Sequence, residues 1–249
     1  MAKSYTQNLL AGLTATAIVL AATPAIGQSF SLDLGEGPSS TGRIIQLFVL
    51  ITVLSLAPSI LVMVTSFTRI VVVLSFLRTA MGTQQAPPNQ VLVSLALFLT
   101  IFVMMPTLEQ SWEQGVQPFI DGKINEKEAF AKSSAPVHKF MRKHVREQDL
   151  KLFMDAAKVG TFQRPEDIPM QTLIPAFMIS ELRRAFEIGF LVFIPFLVID
   201  MVVASVLMSM GMMMLPPIII ALPFKIIFFV LVDGWFLISG SLLQSFGGT

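Results

Sequence analysis

The sequence has no cysteine, so neither a disulfide framework nor thiol chemistry is open to it. Histidine occurs only twice, as His138 and His144. Their spacing does not place them on one helix face, so no metal pattern is present and both are expected to be solvated. Charged residues are scarce, at 13% of the chain with a formal net charge of +1, and this excludes the basic footprint of a nucleic-acid binder. No glycine-rich loop ending in Lys-Ser or Lys-Thr occurs, so energy from ATP would have to enter elsewhere. An intramembrane enzyme would need a second aspartate in a glycine-flanked setting, a serine partnered by a histidine, or a metal cluster. None of these patterns is found, and neither catalysis nor a cofactor is expected.

Apolar sequence dominates instead, at 54% of residues, with a mean hydropathy of +0.74. Uncharged blocks run between Arg43 and Arg69, between Arg78 and Glu109, and between Asp200 and Lys225. Apolar runs near twenty residues cross a bilayer as helices. The expected fold is therefore all-α, a polytopic membrane protein of hydrophobic helical hairpins. Residues 1–27 read as a secretory signal peptide: Lys3 precedes a short apolar core from Leu9 to Ala22, and Ala25 and Gly27 stand at signal-peptidase spacing. Cleavage is expected between Gly27 and Gln28. Residues 28–43, with Gly35, Gly37 and Pro38, read as a periplasmic linker.

Residues 44–106 form the first hydrophobic pair, Ile44 to Val64 with a kink expected at Pro58, and Val91 to Met105. The stretch between them reads as a loop containing Arg69, Arg78 and "GTQQAPPNQ". Short arginine-bearing loops stay cytoplasmic, which puts the mature N-terminus outside. Residues 107–171 hold most of the charges and read as a small helical periplasmic insert. Val137, Phe140, Met141 and Val145 recur at helical spacing, and Leu150, Phe153, Met154 and Ala157 do so again after Asp149, a suitable N-cap.

Residues 172–249 return to apolar sequence through "PAFMISELRRAFEIGF". There Glu181 with Arg184, and Arg183 with Glu187, are three and four apart and form a self-satisfied charged face. So charged a face beside an apolar run marks either an interfacial helix start or a subunit interface. Further on, Asp200 and Lys225 stand alone in apolar runs, where a charge costs at least ~2.5 kcal/mol. Asp200 is twelve residues before Met212 and Lys225 twelve after Met213. A hairpin turning there brings them level, about 18 Å from its tip. A turn nearer Leu215 slips that register and favours pairing between copies instead. Asp233 reads as a third buried acid without an evident partner. Pro195 and Pro223 interrupt the two arms, and freed backbone at membrane depth survives only under protein or around a water-filled cavity.

The tip itself, "MSMGMMMLPP", packs five methionines into seven residues before two prolines. Methionine is flexible and repacks cheaply, so this turn suits either a seal against something variable or lipid-facing filler.

Three stretches together, "LAPSILVMVTSFTRIVVVLSFLR", "PAFMISELRRAFEIGF" and "MMMLPP", resemble the FliP family of type III secretion export gates. The likeness covers essentially the whole chain from about Ile44. It implies a flagellar export-gate subunit at the basal body in the bacterial inner membrane, several copies of which assemble in a ring with FliQ and FliR and work beside FlhB and FlhA. Unfolded protein substrates would pass through that channel. The resemblance assigns Met212, Met213 and Met214 to its constriction, with Met210 adjoining, and marks Asp200 and Lys225 as functionally important. The equivalent injectisome subunit is the alternative within the family. A small-solute transporter is the alternative outside it, but paired inverted repeats are not evident.

Overall fold

The computed structural model describes residues 40–83, 85–158, 160, 164–212 and 215–247. The signal peptide, the Gly27/Gln28 junction and the linker as far as residue 39 lie outside the described residues. Among the described residues there is no strand: the fold is all-α. In chain order the helices are α1 (Ser40–Val64), α2 (Phe67–Met81), α3 (Asn89–Ser111), α4 (Gln117–Ile120), α5 (Glu126–His144), α6 (Glu147–Ala156), α7 (Met170–Ser209), α8 (Pro217–Leu231) and α9 (Gly234–Gln244). A π-helical turn, Trp112–Val116, joins α3 to α4 without a break. The chain divides into a unit ending at Thr52 and a unit from Val53 onward, and the latter holds the core.

Among the described residues three helices are long and apolar enough to cross a membrane: Leu47–Val64 within α1, the α3–α4 run Asn89–Ile120, and α7. The pair α8–α9 makes a fourth if its 63° bend lies inside one span. That bend falls at Val232–Asp233, while helical structure runs unbroken through Pro195 and Pro223. Asp233 occupies the bend in the left-handed region, with φ of 50°. It is exposed, not buried as the sequence suggests, because the bend carries it off the helix-packing face.

The stretch expected to be a loop between the first two apolar segments is largely helix. Residues Phe67–Met81 form α2, and Ile70, Val73, Leu74, Leu77 and Ala80 on it are fully buried. They recur at i, i+3, i+4, i+7 and i+10 and so make one wide buried face, with Ser75 and Thr79 exposed on the other. Leu92 and Ala96 of α3, Ala185 of α7 and Leu242 of α9 cover one side. Phe196 of α7 and Phe229 of α8 cover its C-terminal end. Gly82 then closes the helix in the left-handed region at φ 77°, returning its N–H to the Thr79 carbonyl. Arg69 is thus a core residue and gives no loop charge for a topology argument.

The insert is helical, and α3 extends well into it before α5 folds back. At Gly115 a Cβ would meet the Ser133 backbone at 2.6 Å, so glycine is what allows the two helices their approach. Asn125 caps α5 by accepting from the Glu128 N–H at 2.9 Å. Asp149 does not cap α6. Arg146 holds that position without a side-chain bond, and Asp149 lies in the first turn with its carboxylate on Ser180 Oγ, 2.6 Å away. Neither histidine is free in solvent: both are half-buried, with His138 Nε2 at 2.9 Å from the Ile168 carbonyl.

Candidate functional site: a braced hairpin with a methionine tip

The hairpin arms are α7, forty residues long, and α8. The first arm ends in a complete Schellman motif. Gly211 takes φ of 74°, its N–H reaches the Met208 carbonyl at 3.1 Å, and the Met212 N–H reaches Leu207 at 3.0 Å. Pro217 opens the second arm at a position where no backbone N–H is needed. Glycine therefore fixes where the first arm stops, and proline fixes where the second begins. The methionines are carried on the few residues between. Met210 is 62% exposed and Met212 41% exposed, while Met213 and Met214 lie outside the described residues.

Behind the tip, Lys225 is buried and joins three helices. Its Nζ donates to Asp200 Oδ2 at 2.6 Å and to the Ala80 carbonyl at 3.1 Å. Ala80 is in the last turn of α2, where unpaired carbonyls make the negative end of the helix dipole, so an ammonium group is favoured there twice over. The pair forms inside one chain, because α7 ends at Ser209 and α8 begins at Pro217, centring the turn near residue 213. The second Asp200 oxygen, Oδ1, is buried without a hydrogen-bond partner among the described residues.

A second buried pair was not legible in the sequence. Glu181 is 0% exposed and does not pair with Arg184; it meets Arg69, itself 3% exposed, from α2. Arg69 Nε donates to Glu181 Oε2 at 2.8 Å, and Nη2 donates to Oε1, giving the bidentate fork. Helical phase explains the correction: Glu181 shares the inward face of α7 with Phe177 and Ala185, whereas Arg184 points out. Arg183 and Glu187 do pair, at 2.9 Å on the exposed face, with Arg184 loosely at 4.0 Å from Glu187. The available signal was Arg69 itself, a cation set at the head of the apolar run of residues 70–77.

Among the described residues no group of His, Cys, Asp and Glu is placed to hold a metal ion. What the site offers is mechanical: two charge pairs lock α7 to α2 and α8, and an exposed thioether tip projects beyond the lock. These features define the class, a polytopic all-α membrane protein built around a rigidly braced hairpin. The FliP family model matches residues 50–242. Flagellar biosynthetic protein FliP of Caulobacter vibrioides is 57% identical over 96% of this chain and 90% of its own length. The protein of that name from Bacillus subtilis is 58% identical over 87% and 97%, and that from Aquifex aeolicus 48% identical over 93% and 98%. The chain belongs to the FliP family of flagellar biosynthetic proteins.

Proposed function

We propose that this chain, a component of the flagellar type III export apparatus, is a core subunit of its gate, forming a channel for unfolded flagellar substrates with further copies of itself and with FliQ and FliR. Its site is the inner membrane at the basal body, beside FlhB and FlhA, with the insert of residues 107–171 on the periplasmic side. The order of segments is the one read from the sequence, with residues 1–27 removed after Gly27 and 28–43 leading into the first apolar pair.

The observation that carries the reading is the braced tip. A gate for polypeptides must exclude ions when idle yet admit side chains of every size. Thioether side chains close a constriction by dispersion contact and part without breaking hydrogen bonds, and a narrow apolar ring excludes water by dewetting. Such a seal works only if its mounting is stiff, and the Asp200–Lys225–Ala80 junction supplies a stiff mounting. Met210, Met212, Met213 and Met214 are the sealing residues in this reading. Arg183, Arg184 and Glu187, charged and outward-facing on α7, are available to a neighbouring subunit, whereas Glu181 is occupied within the chain.

Purification of the chain from its native membrane and intact mass measurement of the complex test this. Several copies together with FliQ- and FliR-sized proteins are expected. A chain that purifies alone in mild detergent would remove the basis for a gate.

A further inference from the structure

The end of α9 is held by residues the gating reading does not use. Arg69 Nη1 donates to the Ser245 carbonyl at 3.1 Å and approaches Ser245 Oγ at 3.0 Å. The same guanidinium lies 3.7 Å from the centre of the Phe246 ring. Against Phe246 packs His144 of the insert, with ring centroids 5.4 Å apart, and His144 also packs on Phe140 at 4.6 Å. Its Nδ1–H donates to the Phe140 carbonyl at 2.8 Å. One aromatic ring therefore has a permanent cation on it from α2 and a titratable ring beside it from α5.

We propose that His144 is a proton-sensitive catch for the C-terminal end of α9: while neutral it completes the clasp that Arg69 makes on Ser245 and Phe246, and on protonation it releases that end. The groups around it decide the direction. Arg69 faces it from α2, and Lys139 and Lys143 flank it on α5. Arg146 and, from α7, Arg184 share the adjoining cleft of about 440 Å³. The carboxylates within reach are engaged: Glu181 with Arg69, and Glu187 with Arg183. On the α3 side the neighbours are Phe102, Val103, Pro106, Thr107 and Gln110, none of which titrates. An imidazolium would thus add a cation to a cationic neighbourhood with, among the described residues, no unpaired carboxylate to receive it.

Burial pushes the His144 pKa below its ordinary 6.5. The charges of Arg69 and Lys143 act in the same sense, and carbonyl contacts from Phe140 and Phe246 oppose them. A lowered value means the open state binds the proton more tightly than the closed one. The clasp is then fully formed above about pH 6.5 and weakens as pH falls below that.

Hydrogen exchange of the peptide containing residues 242–247, in the full chain within its purified complex, reads the catch directly. After correction for intrinsic exchange, wild type is expected to lose protection several-fold between about pH 7.5 and about pH 5.5. His144→Gln and His144→Phe, the latter keeping the ring stack, should show no pH step, and His144→Arg should be released at both pH values. A neutral variant that keeps the wild-type pH step, or a wild type without one, would overturn the proposal.

Discussion

Removing Arg69 tests the packing argument most severely. Arg69→Ala leaves the Glu181 carboxylate fully buried with no counter-charge. Breaking a buried pair from one side costs about 3–5 kcal/mol. The substitution also removes the bonds to Ser245 and the stack on Phe246. Against a domain stability of about 5–15 kcal/mol, this is a large share. At about 2–4 °C per kcal/mol for a chain of this size, the midpoint of thermal unfolding should drop by about 6–20 °C. The exposed pair supplies the control, since Arg183→Ala breaks a solvent-screened i,i+4 contact whose loss should leave the midpoint nearly unchanged. Replacing Arg69 and Glu181 together by methionine should restore most of the loss, because no charge is left stranded. The assay is thermal unfolding of the purified full-length complex in one detergent. An Arg69→Ala midpoint no lower than that of Arg183→Ala would refute the reasoning.

Other substitutions probe the hairpin separately. Gly189→Ala would place a methyl 2.6 Å from the Phe76 ring and 3.1 Å from its Cβ, where rotation gives no relief. A loss of about 1–3 kcal/mol is expected, partly recovered by Phe76→Ala in the same chain, which removes the ring atoms nearest the new methyl, and measured by thermal unfolding. Gly211→Ala, at φ 74°, should cost about 1 kcal/mol or more and Gly211→Asn less, since asparagine tolerates the left-handed region. Asp200→Ala or Lys225→Ala should each impair secretion of flagellar substrates, and exchanging the two residues should recover part of it. An exchange no better than the worse single variant would mean that the pair's role depends on its orientation toward Ala80.

Much of the fold could be read from local sequence because long apolar runs leave little choice but helix. The level positions of Asp200 and Lys225 followed from counting outward from the methionine tip, since a hairpin imposes its register. What escaped were the contacts that local patterning cannot carry. Glu181 had a plausible partner three residues away in Arg184, and only the packing of α2 against α7 takes it elsewhere. The interval around Arg69 and Arg78 resembled a charged loop because two arginines and a proline-bearing end outweighed the apolar run between them. In the structure that run is the most deeply buried helix, and Arg69 is affordable there only because Glu181 meets it. Asp149 satisfied the residue preference for an N-cap, but tertiary contact with Ser180 claims its carboxylate. Gly211 determines where α7 stops, a backbone requirement that glycine content alone does not reveal.

The seal is tested most directly by ion conductance of the idle complex in a planar bilayer, comparing wild type with the Met212→Ala, Met213→Ala, Met214→Ala triple variant. Assembly should be intact, because Met212 is exposed and contributes less packing than a core position. The expected result is a closed wild-type complex and a triple variant that passes small ions, since removing three long side chains from each copy widens the constriction and weakens dewetting. An assembled triple variant as tight as wild type would contradict the proposal that this turn closes the gate.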